Sequence, residues 1–137
     1  MRVCGIEIKG SDAIVLIIEG ISKDFKVVKS DLRKISVDES DNPEDIAKFY
    51  DDFLRFLKEH NVDFIGVKKR NTKGRFAGGA TSFKIEGLIQ LASTKTTLIP
   101  PQTILKYKKD SPKYPDSLLK YQLGAFETAF ALISMKE

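Results

Sequence analysis

The sequence predicts an α/β domain built on a mixed five-stranded sheet, in which an antiparallel three-strand meander precedes alternating helices and strands, with helices on both faces. Three observations support this. An almost continuous apolar run at 13–19 follows a turn signal at 9–12. A helical pattern begins at 42, and a short apolar strand at 62–67 is reached through that helix. The 137 residues contain no repeat or linker, so we expect one domain over 1–137.

The first forty residues carry the meander. Val3, Ile6 and Ile8 mark a first strand over 2–9, and the turn signal leaves room only for a hairpin into the second strand at 13–19. Residues 25–28 predict a third strand, with a bent continuation at 32–37. A helix between the early strands, as a flavodoxin-like fold needs, has no space here.

Helices alternate with strands from residue 42 onward. The first helix opens at residues 42–45, because Pro43 suits the first turn and the acids Glu44 and Asp45 lie beside the positive end of the helix dipole. A second helix is predicted over 79–93, a fifth strand over 96–99, a short helix over 102–108 and a final helix over about 116–135. This succession is typical of the ribonuclease H-like fold, in which the first strand lies beside the fourth.

Composition excludes several classes of protein. Hydrophobic residues make up 42% and charged residues 31%, with a net charge of +4, as in an ordinary globular protein. No apolar run approaches the roughly 18 to 20 residues that span a bilayer, so we expect no membrane partner. Cys4 is the only cysteine and is expected to be buried, which agrees with a reducing, cytoplasmic location. A single histidine leaves no Ser-His-Asp triad and no Cys-His metal cluster.

A basic segment follows the fourth strand and leads into the second helix. It combines cationic side chains, a glycine pair and the free amides of a helix start, which together make a seat for an anion such as phosphate. The Walker A and dinucleotide-binding patterns are both absent. The predicted phosphate-binding residues are Lys68, Lys69, Arg70, Lys73, Arg75, Gly78 and Gly79.

Three glutamates are candidates for catalysis. Glu7 lies on the face of the first strand that also carries Val3 and Gly5, where a carboxylate is costly unless it is paired, hydrated or bound to a metal. Glu127 lies on the final helix in a stripe with small residues, and Glu86 lies on the second helix. Glu7 and Glu127 are the predicted ligands of magnesium or manganese, with Glu86 a possible third.

Each glutamate also has a simpler interpretation. Glu7 could be a carboxylate paired with Lys9 or Lys68. Glu127 could be an ordinary solvent-facing glutamate, and Glu86 could belong to a polar ridge on an otherwise apolar helix. The sequence leaves these alternatives open.

Two segments resemble an uncharacterised family of small bacterial proteins with a ribonuclease H-like fold. They are residues 1–10, MRVCGIEIKG, and residues 73–84, KGRFAGGATSFK, and the similarity extends over essentially the whole chain. In architecture that family distantly resembles the Holliday-junction resolvases, a likeness that covers topology and the position of Glu7. The resemblance implies a metal-binding acid at Glu7, a second on the last helix, and nucleic acid as a partner.

One departure from the family pattern concerns the fourth strand. The resemblance implies a glutamate at or just beyond the end of that strand, where this chain has Lys69. An ammonium group cannot ligate magnesium and repels it, although it could pair with Glu7 instead.

Three functions therefore stand as hypotheses. The first is a nucleic-acid-binding or phosphate-binding module with a degenerate metal site. The second is a magnesium-dependent nuclease acting on structured DNA or RNA, and the third is a protein-interaction module, for which a homodimer is the expected form.

Overall fold

A six-stranded sheet forms the centre of the structure, a computed structural model that describes residues 1–70, 79–110 and 114–137. The described strands are β1 (Arg2–Lys9), β2 (Asp12–Ile21), β3 (Asp24–Val27), β4 (Lys34–Ser36), β5 (Phe64–Lys68) and β6 (Thr96–Ile99). The described helices are α1 (Pro43–Glu59), α2 (Ala80–Ala92), α3 (Pro101–Lys108) and α4 (Leu123–Met135), with a short 3-10 helix at Lys120–Gln122.

The strand order is β3-β2-β1-β5-β6, and β4 also pairs with β2. β1 runs antiparallel to β2 and parallel to β5, with Gly5 opposite both Leu16 and Gly66. The first strand therefore lies beside the fourth strand of the sequence prediction. The predicted mixed α/β sheet of ribonuclease H-like topology is confirmed.

The hairpin between β1 and β2 depends on a glycine. Gly10 has a φ of +58°, a left-handed conformation that glycine adopts without steric cost. Lys9 lies opposite Asp12, so the hairpin closes tightly, as the turn signal predicts.

The third predicted strand is split into two segments along one edge of β2. β3 pairs with residues 18–21 and β4 with residues 12–14. Between them the amides of Val28 and Val15 donate to Ile17 O and Arg33 O at 2.9 and 3.0 Å. The bent continuation is thus a separate strand, which is why the sheet has six strands and not five.

Two apolar layers cover the sheet. Cys4, Ile6 and Ile8 of β1 pack with buried residues of α1 and α2 on one face. On the other face Val3 packs with buried residues of α3 and α4. β2 contributes to both layers through its alternating residues, as expected for a central strand buried on both sides.

The final helix begins later than the sequence predicts. α4 starts at Leu123 and not near residue 116, because the chain first makes a 3-10 turn in which the Leu119 amide donates to Gln122 Oε1 at 3.2 Å. None of the described helices is long and apolar enough to cross a membrane.

Candidate functional site

Two glycines bring α4 against β1 and so determine where Glu7 lies. A Cβ at Gly5 would lie 2.1 Å from Ala125 O, which shows how closely strand and helix approach. A Cβ at Gly124 would lie 2.2 Å from Glu7 Oε1. The Glu7 carboxylate therefore rests directly on the first turn of α4, and its side chain is only 14% exposed.

Two lysines neutralise this carboxylate. Lys68 Nζ lies 3.3 Å from Glu7 Oε2, and Lys9 Nζ lies 3.5 Å from Glu7 Oε1. Lys68 reaches Glu7 because Gly5 is in register with Gly66, so the residues two positions further on are neighbours on the same face of the sheet. Both ion pairs of the simpler interpretation of Glu7 are present.

Lys69 is not the partner of Glu7. It follows Lys68 by one residue, so its side chain leaves the strand toward the other face, and its backbone amide donates to Ile99 O at 2.9 Å. Its positive charge acts on Glu86, where it opposes the rise in pKa that burial causes. The suggested pairing of Lys69 with Glu7 is therefore wrong, and Glu7 pairs with Lys68 and Lys9 instead.

Glu127 lies one helical turn beyond Gly124 on α4. Its carboxylate accepts a hydrogen bond from Tyr114 Oη at 3.2 Å and pairs with Lys108 Nζ at 3.7 Å. Burial raises the pKa of Tyr114, and the Glu127 carboxylate raises it further. Glu127 is 14% exposed, so it is not a solvent-facing glutamate but a second half-buried carboxylate with its own cation.

Glu7 and Glu127 belong to the same layer. The Glu7 carboxylate contacts Gly124, and positions three apart on a helix have Cβ atoms about 5–6 Å apart. The Glu7 carboxylate therefore lies on the first turn of α4, about one helical turn before the position of Glu127. Among the described residues, no group of three acids, histidines or cysteines could hold a metal ion.

Glu86 lies in the other layer, on α2. Burial raises the pKa of its carboxyl, and the nearby charges of Arg70 and Lys69 counteract that rise. Glu86 Oε2 is buried without a hydrogen-bond partner within the described residues, and so is Arg70 Nε. The structure thus places Glu86 beside the basic segment and does not bring it into contact with Glu7 or Glu127.

The basic segment begins at the carboxyl end of β5. Lys68, Lys69 and Arg70 border a groove of about 350 Å³, whose other lining residues are Glu7, Ile8, Lys9 and Pro101. Four cations against one carboxylate make this groove positive. Lys73, Arg75 and Gly78 lie outside the described residues.

Arg70 connects this groove to the start of α2. Its guanidinium donates to Ile8 O, and it also lines a second groove of about 350 Å³ with Gly10 and Gly79. Gly79 occupies the position before α2, where no side chain caps the helix. Ser82 Oγ holds α2 to the hairpin by donating to Gly10 O at 3.0 Å. The amides of the α2 amino end are therefore part of the same positive edge.

Sequence reasoning missed the partners of Glu127. Tyr114 and Lys108 come from a loop and a short helix, and no spacing in the sequence relates them to Glu127. Gly124 had a detectable signal, because it lies three positions before Glu127 in a stripe of small residues.

Comparison with known proteins identifies the fold. The chain is similar to the RuvC structure from Thermus thermophilus, with a TM-score of 0.74 and 10% identity over 99% of this chain and 96% of that one. It is similar to T. thermophilus RuvC in complex with a Holliday junction substrate, with a TM-score of 0.72 and 10% identity over the same shares. A Fowlpox virus resolvase in complex with Holliday junction DNA has a TM-score of 0.51 and 15% identity over 99% of this chain and 93% of that one.

These likenesses support the ribonuclease H-like fold that element order predicts. No curated protein matches the sequence. The profile of one family, described as "Protein of unknown function (DUF3010)", matches residues 1–132.

Proposed function

The chain belongs to the DUF3010 family, and on that premise we propose that it is a nucleic-acid-binding module in which lysine ammonium groups stand where a metal ion would be expected. Its ligand is the phosphate backbone of DNA or RNA. The neighbours of similar fold include a T. thermophilus RuvC and a Fowlpox virus resolvase, each in complex with Holliday junction DNA. Branched DNA is therefore the first ligand to try.

The single observation that carries the proposal is the neutralisation of Glu7 by Lys9 and Lys68 beside a positive groove. Two unit charges 4 Å apart interact by about 4 kcal/mol near a protein surface. A magnesium ion at the Glu7 carboxylate would meet two ammonium groups at that range, and Lys108 adds a third at Glu127. The described residues therefore do not fit a magnesium ion.

The same arrangement suits a phosphate chain. The Lys9 side chain is 58% exposed and Lys69 is exposed, so both can contact a phosphate. Arg70, held by its bond to Ile8 O, adds a fixed positive charge beside them. The ion pair with Glu7 orients the Lys68 ammonium group at the groove. Binding through such contacts depends on charge and therefore weakens as salt increases.

The test is a salt titration of binding with a matched pair of variants. Fluorescence anisotropy with labelled four-way junction, duplex and single-stranded DNA is measured between about 50 and 200 mM salt, an interval over which six to ten phosphate contacts lose roughly 10³–10⁵ in affinity. Lys9→Gln is compared with Lys26→Gln. Both lysines lie on strands and pair with a glutamate, but the partner of Lys26 is Glu19, at the opposite end of the sheet.

We expect the plot of log K against log salt to become shallower in Lys9→Gln, with a slope smaller in magnitude by about 0.7–0.9, and to stay unchanged in Lys26→Gln. EDTA should leave the affinity as it is. A flat salt dependence in the wild type, or equal effects of both variants, would contradict the proposal.

The nuclease hypothesis is tested by a cleavage assay on the same protein and the same DNA junction. The contact of the Glu7 carboxylate with Gly124, three residues before Glu127 on α4, is the observation in its favour. If the wild type cleaves the junction in the presence of magnesium or manganese and Glu7→Gln does not, the protein is a nuclease and not a binding module.

A further inference from the structure

The free edge of the sheet at β4 has backbone groups directed away from β2. Val15 N–H donates to Arg33 O at 3.0 Å, and Val37 N–H donates to Ser11 O at 2.9 Å. In an antiparallel pair, residues alternate between facing the partner strand and facing away from it. Since 33 and 37 face β2, the N–H and C=O groups of Lys34 and Ser36 face outward, where they form an unpaired strand edge.

A groove of about 470 Å³ runs between this edge and α1. Leu32 supplies exposed apolar surface, and the buried Phe56 lies at the floor of the groove. A stripe of charged residues borders the groove at helical spacing along α1: Asp45, Lys48, Asp52, Arg55 and Glu59. A strand edge beside a helix is a geometry in which an extended peptide can add to a sheet.

The charges of the groove differ from those of the whole chain. Four acids and three bases line it, although the net charge of the chain is +4. Asp38, Asp45 and Glu59 have no ion-pair partner within the described residues. Of the three bases, only Lys34 is likewise without an ion pair there, because Lys48 and Arg55 both pair with Asp52. A basic ligand complements this surface. The same face of a second copy would present the same excess of acid to it.

We propose that the groove binds an extended peptide of another protein that carries lysine or arginine, and that this peptide adds to β4 as an extra strand. Its backbone pairs with the N–H and C=O groups of Lys34 and Ser36. An apolar side chain of the peptide contacts Leu32, and the cations of the peptide face Asp45 and Glu59. The inference does not rest on nucleic-acid binding, which is proposed for the groove at the carboxyl ends of β1 and β5.

The probe is a fluorescein-labelled octapeptide of alternating lysine and valine, measured by anisotropy and by amide chemical shifts. Two control peptides accompany it. One replaces lysine with glutamate, and the other carries N-methyl groups at alternate residues, which removes the backbone donors that a strand edge needs. The N-methylated peptide tests strand addition on the wild-type protein, so the test does not depend on a variant that must fold.

Two pairs of protein variants complete the design. Ser36→Pro removes an outward-facing N–H and no N–H that pairs with β2, and proline is tolerated on such edges. Its control is Ser36→Ala, which keeps that N–H but also loses the hydrogen bond from Ser36 Oγ to Asp12. Asp45→Asn is compared with Asp51→Asn, a site on the same helix that does not line the groove.

We expect the lysine-valine peptide to bind and to shift the amide signals of Lys34 and Ser36. Ser36→Pro and peptide N-methylation should each weaken binding about three- to tenfold, as for one or more lost hydrogen bonds. Asp45→Asn should weaken it about two- to fivefold, as for one exposed ion pair. Asp51→Asn should have no effect, and Ser36→Ala should weaken binding less than Ser36→Pro, because its backbone N–H remains.

Three results would overturn the inference. Equal binding of the N-methylated peptide would mean charge attraction without strand pairing. Stronger binding of the glutamate peptide would reverse the assigned polarity. A dimer in sedimentation that Ser36→Pro dissociates would make a second copy the occupant of this edge.

Discussion

Replacing Gly5 with alanine tests the close approach of β1 and α4, on which the position of Glu7 depends. The new Cβ would lie 2.1 Å from Ala125 O and 2.5 Å from Ala129 N, and both atoms belong to the backbone of α4. Normal contact distances are about 3.5–4.0 Å, so the helix must move by roughly 1 Å or more. Overpacking of this kind costs typically 1–3 kcal/mol, and an obstructing backbone places Gly5→Ala near the upper end, at about 3 kcal/mol.

Two other glycines provide a graded comparison. At Gly66 the added Cβ would meet the side chains of Ile99 and Leu132 at 3.0 and 3.3 Å, and side chains can adjust, so we expect a loss of about 1 kcal/mol. At Gly87, in α2, nothing lies within 4 Å. Gly87→Ala should therefore stabilise the protein by up to about 1 kcal/mol through helix propensity.

Urea denaturation followed by circular dichroism gives the free energy of unfolding for each variant. The expected order of stability is Gly87→Ala, wild type, Gly66→Ala, Gly5→Ala, with the last unfolding about 10 °C or more below the wild type on heating. If Gly5→Ala were as stable as Gly66→Ala, β1 and α4 could not be in the contact described. The placement of Glu7 on α4 would then be wrong.

Three further predictions concern titratable groups. The pKa of Glu137 lies below its ordinary value of 4.5 because the Ser22 hydroxyl and amide donate to its carboxylate, so its stabilising contribution is present above pH 4.5 and is lost as the pH falls through the lowered value. Carbon-detected NMR titration should show that Ser22→Ala raises this pKa, and an unchanged value would contradict the contact. Glu127→Gln should lower the pKa of Tyr114 while burial keeps it above 10.0, which the absorbance of tyrosinate near 295 nm measures after subtraction of a Tyr114→Phe titration. Burial raises the pKa of Cys4 to about 12, so the folded protein at pH 8 should not react with a thiol reagent until denaturant is added; rapid labelling of the native state would refute this.

Local patterns predicted most of the secondary structure because they act within a few residues. Asn42 caps α1 by accepting from the Glu44 amide at 2.9 Å, and Pro43 occupies its first position. Pro100 separates β6 from α3, which begins at Pro101. The predicted start of the final helix, near residue 116, was wrong because it also relied on a local pattern. Pro115 and Asp116 look like a helix start, but the chain makes a turn and a 3-10 helix before α4.

The site was predictable only in part. Alternation along β1 predicted that Glu7 shares a face with Gly5, and the parallel pairing of β1 with β5 made Lys68 one of two expected partners. Which of Lys68 and Lys69 faces Glu7 depends on strand register, since a shift of one residue reverses the faces. No local pattern sets that register.

The sequence by itself determined the order of the elements, the burial of both faces of β2 and the position of the basic segment after β5. These follow from hydrophobic periodicity and from turn and cap residues, which are short-range effects. Only the tertiary structure decided that Gly5 and Gly124 bring α4 onto Glu7, and that Lys9, Lys68 and Lys108 neutralise the two carboxylates. Contacts between residues more than a hundred positions apart arise from the packing of the α4 backbone on β1, and that packing depends on three-dimensional fit and not on sequence spacing.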